Sequence, residues 1–244
     1  MFGQNVARGR EHREDNKLQV HEVFYTIQGE GVFSGHAAVF IRLSGCNFRC
    51  WFCDTVWDDE NDKYLTLEEI WWQIKEAKSD HCRLVVVTGG EPLRQDLSHL
   101  AKMLDDHGMT MQVETAGAYW QPCLMDHNVY TTISPKSQRV RPEYLKHSCH
   151  GGMNKKFTWK YVINADEVDT IDGLPSEPMQ RMKNGSIGGG VPARPPEGAV
   201  VYLQPCDIPS DIAATKRNYK AVGEVALEFG HIAGVQVHKL IDVE

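Results

Sequence analysis

Short apolar segments alternate with segments of helical periodicity along this chain, and that alternation is the strongest constraint on its fold. The apolar segments are rich in β-branched and aromatic residues, which is typical of strands. Strands that alternate with helices form parallel β/α units. The predicted strands are 20–27, 37–43, 84–87, 109–113, 129–133, 157–163, 200–203 and 235–237, and the predicted helices are 67–77, 95–107, 166–182 and 211–229. The pattern therefore predicts an α/β fold with a parallel sheet.

Size and charge narrow the class of protein further. A chain of 244 residues that is 41% hydrophobic can bury a full core, and it has no apolar run near the ~20 residues that span a membrane. The net charge of −7 argues against a nucleic-acid-binding surface. Met1–Lys17 is charged and lacks the apolar core of a signal peptide. We therefore expect a cytoplasmic protein with a flexible N-terminus over 1–19, one domain over 20–244, and a Gly/Pro-rich loop near 183–198.

Three cysteines, Cys46, Cys50 and Cys53, follow the second predicted strand with the spacing C-x₃-C-x₂-C. No fourth cysteine is close to them. Four thiolates would close a structural site, whereas three leave one iron of a [4Fe–4S] cube without a protein ligand. A zinc site completed by a distant histidine remains an alternative, because the chain has 11 histidines. The other cysteines are too dispersed to predict a second cluster: Cys82, Cys123, Cys149 and Cys206.

Polar residues follow several of the other predicted strands. The segment 89–92 reads Gly-Gly-Glu-Pro, and the segment 134–136 reads Ser-Pro-Lys. Glu114 and Gln204 also stand where strands end. Each of these alone would be an ordinary turn or surface residue. In parallel β/α folds, however, the ligand site gathers at the C-terminal ends of the strands, so the pattern predicts a shared site.

A second motif, Gln28-Gly29-Glu30-Gly31, precedes the cysteines. The glycines alone would be explained by a tight loop between strands. Together with Cys46-x₃-Cys50-x-Phe52-Cys53-Asp54-Thr55, the motif resembles the 7-carboxy-7-deazaguanine synthase family of the radical S-adenosylmethionine (SAM) superfamily. The resemblance covers about residues 20–244 and is weakest between 138 and 198. It is further carried by Thr88–Pro92, Glu114-Thr115-x-Gly117, Ser134-Pro135-Lys136, Leu203-Gln204-Pro205 and His238-Lys239.

The resemblance implies a fold, a reaction and a set of cofactors. The fold would be a partial (β/α) barrel of about six β/α units. The reaction would be the radical ring contraction of 6-carboxy-5,6,7,8-tetrahydropterin to 7-carboxy-7-deazaguanine, with release of ammonia, on the route to queuosine and other 7-deazapurines. The cofactors would be a [4Fe–4S] cluster, SAM and Mg²⁺. The partners would be a one-electron donor such as flavodoxin and a second copy of the chain in a homodimer.

The resemblance also assigns residues to each ligand. It assigns the cluster to Cys46, Cys50 and Cys53, and it assigns Mg²⁺ to Thr55. SAM is assigned to Phe52, Asp54, Gly90, Glu91, Glu114, Ser134, Pro135, Lys136 and Gln204. The substrate is assigned to Ile27, Gln28, Gly29, Glu30, Arg42, Thr88, His238 and Glu244. Two simpler interpretations remain open here: the Thr55 hydroxyl as a cap on the following segment, and Arg42 as a surface residue of its strand.

Two alternative functions are compatible with the cysteine spacing. One is another radical SAM enzyme, such as an activating enzyme that installs a glycyl radical on a partner protein. Such an enzyme would have no need for Gln28-Gly29-Glu30-Gly31. The other is a non-catalytic regulator with structural zinc.

Overall fold

The computed structural model describes residues 6–53, 55, 62–148, 156–181, 187–208, 210–241 and 243. None of the helices in these ranges combines the length and the apolar character needed to cross a membrane. The strands are β1 Leu18–Ile27, β2 Ala37–Leu43, β3 Lys63–Leu65, β4 Leu84–Gly89, β5 Thr110–Thr115, β6 Val129–Ile133, β7 Phe157–Ile163, β8 Gln180–Arg181, β9 Ile187–Gly188, β10 Val201–Pro205 and β11 Ile232–Ala233. The α-helices are α1 Leu67–Ala77, α2 Ser98–Asp106, α3 Pro142–Ser148, α4 Ile212–Phe229 and α5 Val237–Leu240.

In the described part of the chain, a single nine-stranded sheet carries the fold, with the strand order β11-β10-β7-β6-β5-β4-β2-β1-β3. Neighbouring strands pair in parallel along the part of this order that contains β2, β4, β5, β6, β7, β10 and β11. Strand β1 pairs antiparallel with both β2 and β3. The first and last strands of this order do not pair with each other, so the sheet is curved open rather than closed. This confirms the predicted partial (β/α) barrel. The remaining strands, β8 and β9, form a separate antiparallel hairpin.

Successive side chains of each strand point to opposite faces of the sheet, so the sheet has two different faces. On β7, Phe157, Trp159 and Tyr161 belong to the main core, together with helix residues such as Ile70 of α1. Each fully buried apolar side chain of this kind contributes about 1.5–3 kcal/mol to folding. Lys160, between two of these aromatic residues, points to the other face because successive side chains of a strand alternate. The helices therefore cover one face, and the other face forms the barrel interior.

The barrel interior changes from apolar to polar along the strand direction. Near the strand beginnings it holds a small core of Ala38, Leu84 and Val86, against which Phe33 and Phe40 pack. Near the strand ends the inward positions are polar or charged: Arg42, Thr88, Glu114, Lys160 and Gln204. The apolar end seals the barrel, and the polar end is open for a ligand.

Local sequence signals explain the helices that were predicted. Thr66 caps α1 by accepting from Glu69 N, and the Glu69 side chain accepts in turn from Thr66 N at 2.7 Å, which completes the predicted capping box. Helix α4 begins after Asp211, whose carboxylate accepts from Ala214 N, and ends at Gly230 with φ 72°. Helix α2 begins later than predicted, because a 3-10 turn over Pro92–Arg94 precedes it.

Two predicted elements are wrong. The described residues 166–181 form no helix: they follow turns and end in β8. The physical reason is local, since the Asp169 and Asp172 carboxylates accept from Ile171 N at 2.8 Å and Leu174 N at 3.0 Å, which favours turns. The strand expected over 235–237 is replaced by β11 just before it and by the start of α5. Helices α3 and α5 and strand β3 were not predicted.

The N-terminal segment is attached to the fold in its described part, 6–17, against the expectation of a flexible 1–19. Arg8 N donates to Cys46 O at 2.7 Å. Arg94 donates to Gly9 O at 3.0 Å and forms an ion pair with Glu11 at 3.2 Å. Because Arg94 is buried, these contacts fix the segment against the start of the cysteine loop. Strand β1 then begins at Leu18.

Candidate functional site

A cavity of about 720 Å³ lies at the C-terminal ends of the strands. This volume is within the range of sites that enclose small ligands. Almost all of the described residues that the sequence assigned to the site line it: Ile27, Gln28, Gly29, Glu30, Arg42, Cys46, Cys50, Phe52, Cys53, Thr55, Thr88, Gly90, Glu114, Ser134, Lys136, Gln204 and His238. The barrel thus brings together residues more than 200 positions apart in the chain.

The cysteine loop, residues 46–53, connects β2 to the segment before β3 and is held by backbone contacts on two sides. On one side Ala7 pairs with Cys46, and on the other Cys50 pairs with Gln180 of β8. Trp51 N also donates to Met179 O at 3.3 Å. The loop is therefore positioned by the N-terminal segment and the β8–β9 hairpin, both of which lie outside the main sheet.

The three thiols of this loop open into the same cavity, which fits a cluster held by three cysteines. Burial raises the pKa of Cys50 to about 11 and raises the pKa of Cys46 further. Both thiols are therefore protonated at neutral pH, and binding of a cluster as thiolates must release protons. Within the described ranges, no group of three or more His, Cys, Asp and Glu side chains is arranged to hold a single metal ion.

The Gly89–Gly90 segment packs directly on the start of the cysteine loop. Gly90 N donates to Leu43 O and Glu91 N donates to Gly45 O, both at 3.0 Å. A Cβ atom at Gly89 would overlap the backbone of Leu43 at the end of β2, and a Cβ atom at Gly90 would overlap the backbone of Gly45 and Cys46. Gly89 also has φ 117°, which side chains disfavour. These glycines are therefore required where the strand end meets the loop.

Glu91 does not line the cavity, although the sequence assigned it to SAM. Its carboxylate is 1% exposed and accepts from Thr115 Oγ1 at 2.7 Å and from Ala116 N at 2.8 Å. Burial raises the pKa of Glu91. In this arrangement the Glu91 side chain ties the ends of β4 and β5 together, and it is the backbone at Gly90 that reaches the cavity wall.

Ser134 and Lys136 form a local pair after β6. Lys136 Nζ donates to Ser134 O at 2.7 Å and to Ser134 Oγ at 2.6 Å. Burial lowers the pKa of Lys136. Pro135, between them, is buried and does not line the cavity. The pair offers a hydroxyl and a cation to an anionic or ribose-like group.

A charged triad of Glu30, Lys160 and Glu114 occupies the other strand ends. Lys160 Nζ donates to Glu30 Oε2 and to Glu114 Oε2, both at 2.6 Å. Gln204 Nε2 donates to Glu30 Oε1, and so does Gln236 Nε2 at 3.1 Å. The triad joins the segment after β1 to the interior positions of β5 and β7.

Within the triad, the pKa values of the two carboxylates are shifted in opposite directions. Burial works to raise the pKa of Glu30, but the Lys160 ammonium and the donors from Gln236 and Gln204 lower that pKa to about 2. Burial raises the pKa of Glu114 despite the same ammonium, and the charge of Glu30 adds to that increase. Glu30 is therefore a permanent anion at neutral pH, whereas Glu114 takes up a proton more readily than an ordinary glutamate.

Amide side chains extend this network toward the loop after β1. Gln112 Nε2 donates to Glu114 Oε1 at 2.8 Å, and Gln112 Oε1 accepts from Gln28 Nε2 at 2.9 Å. Gln28 Oε1 in turn accepts from Glu30 N at 3.1 Å. Both glutamines are nearly inaccessible to solvent. The Gln-Gly-Glu-Gly loop is therefore connected to the charged residues of the strands by a continuous chain of hydrogen bonds.

Arg42 and Thr55 contact each other at the edge of the cavity. Arg42 Nη1 donates to Thr55 Oγ1 at 3.2 Å, and Arg42 Nε donates to Glu22 Oε1 at 2.5 Å. The guanidinium lies over the Phe24 ring with its carbon 5.5 Å from the ring centre. A cation thus stands beside the hydroxyl that the sequence assigned to Mg²⁺.

His238 reaches the cavity from α5 and packs against Gly29. A Cβ atom at Gly29 would overlap the His238 ring, so the absence of a side chain there creates the space for the imidazole. Gln236, two positions earlier, also lines the cavity. Among the described residues, no hydrogen-bond donor reaches Gln236 Oε1, which is buried.

Among the residues of the cavity wall that the sequence did not assign, Lys160 and Gln236 bond to assigned residues. Lys160 carried a signal, because it is the one charged residue within the predicted strand 157–163. Gln236 carried none, since a strand was predicted where the structure has the start of α5. Asp54 and Glu244, assigned to SAM and substrate, lie outside the described residues and stay predictions.

Comparisons with known proteins agree with this architecture. The family model of the radical SAM superfamily matches residues 40–165. The 7-carboxy-7-deazaguanine synthase of Rhodospirillum rubrum is 37% identical over 248 residues, which cover 100% of this chain and 100% of that protein. The enzyme of the same name from Rickettsia prowazekii is 30% identical over 249 residues, covering 100% of this chain and 96% of that protein.

A solved structure shares the fold. The crystal structure of QueE from Escherichia coli matches with a TM-score of 0.59 and 24% sequence identity, covering 90% of this chain and 94% of that chain. Together, the matched superfamily model and the full-length relatives leave the glycyl-radical activating enzyme without support. The chain therefore belongs to the radical SAM superfamily and, within it, to the 7-carboxy-7-deazaguanine synthase family.

Proposed function

We propose that this protein converts 6-carboxy-5,6,7,8-tetrahydropterin to 7-carboxy-7-deazaguanine with release of ammonia, as a carbon–nitrogen lyase in 7-deazapurine biosynthesis. Membership of the radical SAM superfamily implies a [4Fe–4S] cluster and SAM. When bound, these cofactors supply one-electron hydrogen abstraction, and the protein contributes position and charge. One observation carries the proposal: a single cavity joins the three thiols to a charged network anchored by the Gln28-Gly29-Glu30 loop.

The polar groups of the cavity suit the two ends of this substrate. The amino-pyrimidinone part of a pterin presents N–H donors, which the Glu30 carboxylate can accept. Gln236 Oε1, which no donor of the described residues reaches, is a second acceptor. The substrate carboxylate requires a cation, which Arg42 supplies. Because the pKa of Glu30 is lowered to about 2, its acceptor capacity persists at every physiological pH.

The same proposal divides the described residues that line the cavity between SAM and the pterin substrate. Phe52, Gly90, Ser134 and Lys136 lie on or near the cysteine loop and the strand ends beside it, and are proposed for SAM. Gln204, assigned to SAM from the sequence, donates to Glu30, which is assigned to the substrate. Glu114, also assigned to SAM, accepts from the same Lys160 ammonium as Glu30 does. We therefore place these two at the boundary between the ligands.

Mg²⁺ is part of the proposal, with the Thr55 hydroxyl as a ligand. Magnesium prefers hard oxygen donors and keeps water or substrate oxygens in its shell. The Arg42 guanidinium beside Thr55 would then share the substrate carboxylate with the ion. Thr55→Ala is expected to weaken the response of turnover to added Mg²⁺ while SAM binding stays intact. An unchanged Mg²⁺ titration would remove Thr55 from the ion's shell.

The test of the function is an anaerobic assay of the reconstituted enzyme with SAM, a reductant and the carboxytetrahydropterin. We expect 7-carboxy-7-deazaguanine and ammonia in equal amounts, detected by mass spectrometry and an ammonia assay. Cleavage of SAM without either product would contradict the proposal. Flavodoxin in place of the chemical reductant tests the proposed electron donor, and light scattering during size-exclusion chromatography tests the proposed homodimer.

A further inference from the structure

Among the described residues, Lys160 is the one that contacts both carboxylates of the triad. Its side chain is 11% exposed, and its two bonds of 2.6 Å reach Glu30, which comes before the cysteine loop, and Glu114, which comes after it. A buried ammonium is costly unless it is paired and hydrogen-bonded. Here two anions compensate it, which holds the ammonium strongly in its charged form and raises the pKa of Lys160.

The geometry of β7 places this ammonium in the barrel interior. Thr158 of β7 pairs with Thr132 of β6, which pairs with Glu114 of β5. Lys160 is the next interior position after Thr158, so its extended side chain reaches across the sheet to the end of β5. The flanking Trp159 and Tyr161 are buried in the helix-side core and fix the register of the strand. The lysine is thus built on a rigid element rather than on a loop.

The number of hydrogen bonds that each carboxylate accepts shows how many of its acceptor positions remain for a ligand. A carboxylate offers about four acceptor positions. Glu30 accepts from Lys160, Gln204 and Gln236, whereas Glu114 accepts from Lys160 and Gln112. Both anions therefore keep acceptor capacity toward the cavity, with more of it at Glu114. Without the ammonium, two adjacent buried anions would repel each other and change position or protonation.

We propose that Lys160 is a positioning residue, whose ammonium fixes Glu30 and Glu114 in one arrangement so that both accept N–H donors from the same substrate. The inference rests on the proposed function, since it takes the pterin as the ligand of these carboxylates. It assigns Glu114 to the substrate as well as to SAM. The triad carries two negative charges and one positive charge, so it favours a ligand edge rich in N–H groups over an anionic one.

The test measures binding of the carboxytetrahydropterin to the reconstituted enzyme with SAM and without reductant, by calorimetry. We expect Lys160→Met to weaken substrate binding roughly ten- to a hundredfold, since a hydrogen bond to a charged group is worth ~1.5–3 kcal/mol. Lys160→Arg, which keeps the charge, should recover most of the affinity. Lys156→Met is the matched control, because its ammonium donates to Asp126 O, away from the cavity, and it should bind as the wild type does.

The pH profile separates positioning from a merely structural role. The wild type, in which Glu30 stays ionised between about pH 6 and 8 because its pKa is lowered to about 2, gives the reference profile. In Lys160→Met the loss of the ammonium raises the pKa of both carboxylates, so binding should weaken further as the pH falls. A loss of binding in Lys160→Met that does not change with pH would overturn the inference in favour of a structural role.

A second variant keeps the test decisive if Lys160→Met does not fold. Lys160→Met/Glu114→Gln removes one charge of each sign and avoids two adjacent anions. It is compared with Glu114→Gln alone, and we expect the double variant to bind the pterin several-fold more weakly. Equal binding by these two variants would overturn the inference. Failure of the wild-type enzyme to bind the pterin would instead contradict the proposed function.

Discussion

The cysteine loop and the charged triad line the same cavity, but the protein holds them in different ways. The loop is held by backbone contacts from Ala7 and Gln180, on segments outside the main sheet. The triad is held by its own side chains on strands whose other face is the core. The Cys46 and Cys50 thiols are protonated when unligated, whereas Glu30 is already charged. The loop therefore depends on what it binds, and the triad is organised in advance.

The largest effect is expected in the loop. Cys50→Ala should abolish both iron binding and turnover, because a cube with one open iron needs all three thiolates. Iron and sulfide analysis and the broad absorbance near ~400 nm check this. Cys82→Ala is the matched control: Cys82 is buried just before β4, at the end of the strands opposite the cavity, where its thiol donates to Ala37 O at 3.4 Å. Full iron content in Cys50→Ala would contradict the cluster assignment.

The next largest effect is expected on the stability of the protein, to which Glu30 of the triad contributes. The pKa of Glu30 is lowered from 4.5 to about 2, so its contribution to stability is present above pH 4.5 and is lost as the pH falls through 2. Glu30→Gln should therefore cost on the order of 3 kcal/mol at pH 7, since it breaks a buried pair. Its melting temperature should approach that of the wild type near pH 2. Thermal unfolding followed by circular dichroism at several pH values checks this.

Glu114→Gln provides the contrast within the same triad. The pKa of Glu114 is raised, so ionisation of this group opposes folding as the pH rises above its unfolded value. The neutral amide removes that cost, and the loss of stability at pH 7 should be smaller than in Glu30→Gln. Equal destabilisation by the two variants would show that the two carboxylates share the ammonium symmetrically.

A moderate effect is expected where the loop and the barrel wall meet. Arg42→Ala removes a cation from the cavity and a donor to Thr55 Oγ1, and should weaken binding of the carboxytetrahydropterin roughly ten- to a hundredfold. Cleavage of SAM in the absence of substrate should continue, because it needs only the cluster and its own site. Parallel measurement of 5′-deoxyadenosine and product checks this. Equal loss of both would assign Arg42 to SAM or to the fold.

The smallest effect tests His238. Gly29→Ala introduces a methyl group where the His238 ring packs, and should turn the ring aside with little loss of stability, because a side chain can move. Substrate binding should weaken a few-fold if the imidazole belongs to the site. Gly9→Ala is the control, since nothing lies within 4 Å of a Cβ atom there. Unchanged binding by Gly29→Ala would remove His238 from the substrate site.

The sequence by itself determined the α/β class, the positions of most core strands along the chain and the positions of the main motifs. These follow from local rules: apolar periodicity marks the strands, and the Thr66–Glu69 pair marks the start of α1. The cysteine spacing also identified the loop without any structure, because its ligands are close neighbours in the chain. The wrong prediction of a helix over 166–182 shows where local rules fail, since turns at Asp169 and Asp172 replace the helix in the described residues 166–181.

Only the tertiary structure decided which polar residues share a site and what each one does there. Glu30 and Lys160 are 130 positions apart and meet because the barrel brings the end of β1 beside the interior of β7. The Glu91 carboxylate, which the motif alone placed at a ligand, turns instead to the end of β5. A strand pattern tells which face a side chain occupies, but hydrogen-bond partners and pKa depend on neighbours that only chain folding supplies.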